Sequence, residues 1–315
     1  MSKLAEEVLN KNISSVAKLV RKVEDEDNDV YKDLKFLYPY TGNAYILGVT
    51  GLPGSGKSTI INLLIKHYRS LGKTVGVIAV DPSSPISNGS ILGDRIRMLE
   101  HSVDEDVFIK SLATRGWYGG LSKTTSRIIN ILDAMGKDVI LLETVGVGQA
   151  EVSVMNFSHT TVIVLVPEMG DYIQTIKAGV LEIGDIFIIN KIDKSEPNEL
   201  SQNLGALIHH ENEGPQDWRK RIILTSALNS VGFDELINAI DDHREFFLKY
   251  KKEKYLKNRA NNELKDEIYG YFLDFVIKKF DNDKSFEEIV NSIAKKKADP
   301  YSSSLQIIKN LKIKK

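Results

Sequence analysis

Cysteine is absent from the 315 residues. That absence removes disulfides, thiolate nucleophiles and cysteine-based zinc sites together, and it fits a reducing compartment. An excess of one charge is also lacking, since 42 Lys and Arg stand against 43 Asp and Glu. No whole-molecule field therefore favours nucleic acid or an anionic membrane surface. No apolar run approaches the ~20 residues that span a bilayer. The opening stretch, MSKLAEEVLNKNISS, has no apolar segment of signal-peptide type. The six histidines (His67, His101, His159, His209, His210 and His243) form no cluster beyond the His209–His210 pair, which lies in a polar stretch. A cytoplasmic protein with neither nucleic-acid nor membrane partners is expected.

What is present falls into three zones. Residues 1–43 are polar with helical spacing: Leu4, Val8 and Leu9 mark one stripe and Val16, Leu19 and Val20 another. The acidic run EDEDND, Glu24 to Asp29, closes this zone as a solvated loop or a frayed helix end. Residues 44–240 alternate strand-length apolar runs with helical segments. The runs are AYILGVT, TVGVIAVD, DVFIKSL, DVILLET, TTVIVLVP, IFIINK and RIILTSA. Their near-continuous apolar character suits a mostly parallel sheet covered by helices on both faces. The segment GDYIQTIKAGVLEIGD is expected to be one of those helices, with Ile173, Ile176, Val180 and Ile183 on one face. Residues 241–315 are charged and helical, with Phe247, Tyr250, Leu264, Ile268, Tyr271, Phe275 and Val276 as an apolar stripe.

One motif fixes the ligand class. Gly51-Leu-Pro-Gly-Ser-Gly-Lys57-Ser58 satisfies G-x-x-x-x-G-K-[ST], follows an apolar strand and leads into the helical TIINLLIKHY. Glycines let such a loop curl its N–H groups toward phosphate oxygens, and the helix start adds its positive end. Gly54, Ser55, Gly56, Lys57, Ser58 and Thr59 are thus the expected phosphate contacts. Lys57 bridges the β- and γ-phosphates and the Ser58 hydroxyl binds Mg²⁺. The base is read by Asn190-Lys191-Ile192-Asp193 at the end of IFII. An aspartate there accepts two hydrogen bonds from guanine, whereas adenine would leave the carboxylate unpaired. Asn190 ties this segment to the phosphate loop, Lys191 lays its stem along the base, and Ser226 and Ala227 form a second guanine-contacting loop. GTP or GDP with Mg²⁺ is the expected ligand.

Three acids can reach the metal directly or through water: Asp81 ending TVGVIAVD, Asp94 in GSILGDRIRM, and Glu143 beginning ETVG. Glu143 stands where most GTPases carry the aspartate of D-x-x-G, and its longer arm is expected to work through water. Gly146 offers its N–H to the γ-phosphate, making the following loop a nucleotide sensor. Lys57, Asp94 and Glu143 are the catalytic candidates. Two roles stay open for Gln149, orienting the attacking water or packing the loop. Three stay open for Thr114–Ser122: switch loop, partner surface or plain turn.

GLPGSGKST, VDPSSP, GSILGDRIRM, TRGWYGGLS, ETVGVGQAE, VPEMGDYIQTIKAG and NKID occur here in one order, and in that order the chain resembles the MeaB/ArgK family. These are G-protein chaperones of adenosylcobalamin-dependent methylmalonyl-CoA mutase and related acyl-CoA mutases. The resemblance is strongest over roughly residues 40 to 240. It implies a P-loop NTPase fold of α/β class with N- and C-terminal helical extensions, and a homodimer joined through its C-terminal helices. It also implies slow GTP hydrolysis that the mutase accelerates and that gates cofactor delivery and protection. Lys57, Ser58, Asp81, Asp94 and Glu143 match the phosphate and Mg²⁺ positions, and Asn190, Lys191 and Asp193 the guanine positions. The loop from Pro167 to Lys177 is similar to the family's additional switch. There PEMGDY departs from the small residues more usual after the proline, and Trp117-Tyr118 is bulkier than usual. DDHREF at Asp241 begins like a cobalamin-ligating D-x-H-x-x-G but has Phe246 in place of the glycine, so the cofactor is expected on the partner. Two alternatives use the same phosphate loop: a phosphotransferase, and a metal-insertion GTPase for another metalloenzyme. The guanine-reading turn opposes the first and the absence of cysteine opposes the second.

Overall fold

All seven apolar runs form strands, and all of their pairings are parallel. The computed structural model describes residues 2–27, 29–81, 99–101, 103–113, 120–144, 152, 155–168, 180–208, 217–280 and 284–310. The chain divides into two units, Met1–Glu263 and Leu264–Lys315.

The first unit opens with helices α1 (Lys3–Leu9), α2 (Ile13–Glu24) and α3 (Val30–Leu37). Asn12 starts α2 by accepting the Ser15 N–H at 3.0 Å. Then come β1 (Tyr45–Gly51), α4 (Lys57–Ser70), β2 (Val75–Asp81), β3 (Val107–Ala113), α5 (Gly120–Ala134), β4 (Val139–Thr144) and β5 (Thr160–Leu165). A four-residue helix, Val180–Ile183, precedes β6 (Ile186–Ile189). Helix α6 (Asn198–Ile208), β7 (Arg221–Leu224) and α7 (Phe233–Phe246) follow, and a π-helical turn, Phe247–Lys251, leads into the long helix α8 (Lys252–Phe280). The part of GDYIQTIKAGVLEIGD before Val180 lies outside the described residues.

The sheet order is β3-β2-β4-β1-β5-β6-β7. Every residue of β1, β4, β5 and β6 is buried, because helices cover both faces. On one face α4 and α7 pack Ile60, Leu64, Leu236 and Ile240 against Leu47, Val49, Leu141 and Val162. On the other, α5 packs Ile128, Ile131 and Leu132 against Ile46, Ile78 and Leu142, and the N-terminal helices join the same core through Val8, Val16, Leu19, Val20 and Leu37. The acidic run after α2 is only partly a solvated loop. Glu24 closes the helix and accepts a hydrogen bond from Lys110 of β3 at 2.6 Å.

The entry to β1 is pinned by one carboxylate. Asp133 of α5, 2% exposed, accepts the backbone N–H groups of Gly42, Asn43 and Ala44 at 2.6, 3.1 and 2.9 Å. Nearby, the amino edge of the sheet holds a buried polar cluster. The Thr160 hydroxyl bonds both Tyr45 and His243, and the other His243 nitrogen lies 3.3 Å from Asp185. His243 of DDHREF thus has both ring nitrogens engaged inside the protein. His159 accepts the Ile46 N–H and stacks on Phe247. Burial, aided by the positive charges of Arg259, Lys252 and Arg244, pushes its pKa down to about 3. Helix α8 is clasped to α5 by Arg259, which bonds Glu263 at 2.9 Å and Asn130 at 2.7 Å, and by Ser126, which donates to Glu263.

In the second unit α8 ends and α9 (Lys284–Ala294) and α10 (Pro300–Asn310) follow. Asp299 caps α10 by accepting the Ser302 N–H at 2.8 Å, with Pro300 at the first helical position. The apolar stripe of the C-terminal zone divides between the units. In the first unit Phe247 is buried and Tyr250 exposed, and in the second Leu264, Ile268, Tyr271 and Phe275 are exposed. Among the described residues no helix is long and apolar enough to cross a membrane.

Replacing Asp133 with Ala removes a buried acceptor from three backbone donors, of which Ala44 is buried and Gly42 and Asn43 are exposed. The loss expected in urea unfolding is about 3 kcal/mol. Asp133→Asn, which keeps one acceptor oxygen, is expected to lose clearly less.

Candidate functional site

The parallel register aligns the carboxyl ends of β1, β4, β5 and β6 on one edge of the sheet. The phosphate loop leaves β1 at Gly51. That glycine has φ 147°, and a Cβ there would lie 2.2 Å from the Val164 carbonyl oxygen, so β1 and β5 approach too closely for any side chain. Gly56, at φ 97°, is excluded from substitution by a different neighbour, because its Cβ would meet the Asn190 amide nitrogen at 2.3 Å.

Lys57 begins α4 and is 5% exposed, and its ammonium donates to the Leu52 carbonyl of its own loop at 2.9 Å. The Ser55 N–H closes the same loop on Leu52. The Ser55 hydroxyl is fully buried and has no hydrogen-bond partner among the described residues. The next residue along α4, Ser58, donates its hydroxyl to Glu143 at 3.0 Å. Glu143, next to last in β4, is almost fully buried, opposite Val49 of β1 on one side and Ala79 of β2 on the other. A buried carboxylate beside a hydroxyl is a hard-oxygen pair, so these residues fit Mg²⁺. Asp81 ends β2, two residues beyond Ala79, with its backbone described and its side chain outside the description. Thr59 is half-buried in the first turn of α4.

The second half of the site is built around Asn190. Its amide donates to the Ser55 carbonyl at 2.8 Å, and its side-chain oxygen accepts the Thr225 hydroxyl at 3.1 Å and the Ala227 N–H at 3.0 Å. One side chain, 2% exposed, thereby joins the loops after β1, β6 and β7. Its own N–H extends the sheet to the Leu165 carbonyl. Lys191 follows in the left-handed region, φ 65°, uncommon for a non-glycine residue, and its carbonyl accepts the Lys194 N–H. This turn presents Asp193 at the surface. Asp193 accepts the Ser226 hydroxyl at 2.5 Å, and Ser226 in turn accepts from Asn229. The Ser226 bond, helped by Lys194 and Lys191, holds the Asp193 carboxyl below the usual carboxylate range.

The structure therefore brings together Gly54, Ser55, Gly56, Lys57, Ser58 and Glu143 on one side and Asn190, Lys191, Asp193, Ser226 and Ala227 on the other. The Ala227 N–H and the Ser226 hydroxyl both serve the turn itself, to Asn190 and Asp193. Asp94, Gly146, Gln149, the loop from Thr114 to Gly119, the candidates Arg95, Arg97 and Arg115, and residues 169–177 lie outside the described residues. The sequence did not single out Thr225 or Asn229. Their signal was position alone, a hydroxyl and an amide flanking Ser226-Ala227.

A family model described as methylmalonyl-CoA mutase-associated GTPase MeaB matches residues 16–282. A protein of Pyrococcus abyssi, provisionally named a GTPase, is 44% identical over 304 residues, covering 94% of this chain and 92% of that protein. The mouse protein named methylmalonic aciduria type A homolog, mitochondrial, is 37% identical over 203 residues, covering 64% of this chain and 48% of its own length. Among solved structures, that of a LAO/AO transport system kinase superposes with a TM-score of 0.69 at 23% identity, covering 98% of this chain and 96% of the other. At that identity the likeness concerns the fold.

Asn190→Ala removes partners from a buried carbonyl, hydroxyl and N–H at once. The apo chain is expected to lose roughly 3 kcal/mol. The rise in melting temperature on adding GDP, read by differential scanning fluorimetry, is expected to vanish.

Proposed function

The chain belongs to the MeaB family of methylmalonyl-CoA mutase-associated GTPases, and from that premise we propose that it couples GTP binding and hydrolysis, in the cytoplasm, to cobalamin loading and protection of methylmalonyl-CoA mutase or a related acyl-CoA mutase. The observation that carries the nucleotide half is the Asn190 junction, which holds the lysine-bearing phosphate loop and the ionised Asp193 in one frame. A ligand with a polyphosphate tail and paired N–H donors on its base suits both ends. The partner half is supported by the family description and by the disease named in the mouse relative.

In the proposed reaction a water oxygen attacks the γ-phosphorus in line. The bond to the β,γ-bridging oxygen breaks, and GDP and phosphate are the products. Lys57 is held at the loop by the Leu52 carbonyl and would exchange that partner for β- and γ-phosphate oxygens as their charge builds. The first turn of α4 adds backbone N–H groups to the same oxygens. Bound Mg²⁺ would supply further charge neutralisation, held by Ser58 and Glu143 with Asp81 and Asp94 as additional acids. Asp193 fixes the base by accepting from N1–H and the 2-amino group. Hydrolysis is slow until the partner completes the site. Self-association belongs to the same proposal. Leu264, Ile268, Tyr271 and Phe275 recur along one stripe of α8, and their exposure supports a dimer formed through the second unit.

Asp193→Asn puts an N–H donor where two acceptors are needed. GTP affinity is expected to fall about 100-fold, while a xanthine nucleotide, whose C2 carbonyl accepts that donor, gains. Competition against a fluorescent GDP analogue reads both changes. Affinity capture from a lysate with GTP-loaded, GDP-loaded and empty chain is expected to retain an acyl-CoA mutase subunit in a nucleotide-dependent way. Enrichment of a different partner overturns the mutase assignment and leaves the GTPase reading standing.

A further inference from the structure

Glu168 lies outside both halves of the site, yet it touches the base-reading turn. The loop after β5 begins Val166-Pro167-Glu168, and the loop after β6 begins Asn190-Lys191. These loops start side by side, because Leu165 pairs with Ile189 and the Asn190 N–H bonds the Leu165 carbonyl. Across them the Glu168 carboxylate accepts the Ser195 hydroxyl at 2.5 Å. Ser195 immediately follows the Lys191–Lys194 turn, so this bond fastens the turn's trailing end while Asn190 fastens its leading end.

Charge makes the contact more than a tether. The charges of Lys191 and Lys194 favour the ionised form of two carboxylates, Glu168 and Asp193, after the larger effect of the Ser195 and Ser226 hydroxyls. Both acids stand at the surface, and the two lysines begin and close the turn that follows Asn190. With Glu168 present, two cations are shared between two anions. Without it, Asp193 loses a rival for both lysines, and an ammonium group on Asp193 competes with the guanine N–H donors for the same lone pairs.

We propose that Glu168 is a positioning residue for base recognition, drawing Lys191 and Lys194 and anchoring Ser195 so that Asp193 stays open to the N1–H and 2-amino group of guanine. The assignment rests on the guanine reading given above. It predicts a defect in selectivity rather than in phosphate binding or folding.

The test compares GDP with inosine diphosphate, which lacks only the 2-amino group, in wild type, Glu168→Gln and Glu168→Ala. Wild type is expected to favour GDP by about tenfold or more, the worth of one hydrogen bond to a charged acceptor. Both variants are expected to keep the wild-type melting temperature and to narrow that preference about two- to fivefold. The narrowing is expected to shrink in high salt, as exposed charges are screened. An unchanged ratio in both variants, or an equal loss of both nucleotides, overturns the role of Glu168 while the guanine reading survives. A wild-type chain that binds GDP and inosine diphosphate alike overturns the guanine reading and this assignment with it.

Discussion

A buried primary amide has two donor hydrogens and an accepting oxygen, and it is costly wherever these go unmet. Asn190 engages one donor and its oxygen with groups from two other loops. The carbonyl of Ser55, the hydroxyl of Thr225 and the N–H of Ala227 are each satisfied only when three loops are in place together. The amide also excludes a side chain at Gly56, so the loop that curls around phosphate is shaped from outside as well as by its own glycines. Each half of a nucleotide site is an ordinary feature alone. Referred to one side chain, the two halves acquire a fixed separation.

The strands were legible because helices bury both faces of β1, β4, β5 and β6, which leaves nearly unbroken Val, Ile and Leu runs in the chain. The phosphate loop and Asn190-Lys-Ile-Asp193 were legible because each is a local segment whose spacing carries its chemistry. Adjacency was not legible in the same way. That Ser58 meets Glu143, or that Ser195 meets Glu168, depends on which strands are neighbours, and the order β3-β2-β4-β1-β5-β6-β7 leaves no trace in any short window. The Ala227 N–H illustrates the limit. Its position beside the base turn followed from the motif, whereas its bond to Asn190 required the fold.

The two edges of the sheet divide the polar work. At the carboxyl edge, Lys57 bonds the Leu52 carbonyl and Asp193 the Ser226 hydroxyl. At the amino edge Tyr45, Thr160, His243 and Asp185 satisfy one another, and His159 stays neutral among aromatic rings and nearby cations. The clasp of Arg259 and Glu263 on α5 then binds the start of the long helix to the body that carries the site.

The central place of β1 has a consequence for biosynthesis. Its hydrogen-bonding neighbours, β4 and β5, lie roughly a hundred residues downstream, so β1 leaves the ribosome with neither edge partnered. Tyr45–Gly51 must wait until Thr160–Leu165 has been translated, and the phosphate loop waits longer still, for Asn190. The junction that joins the phosphate loop to Asn190, Thr225 and Ala227 is therefore completed late in synthesis, after the whole sheet up to β7 has been made.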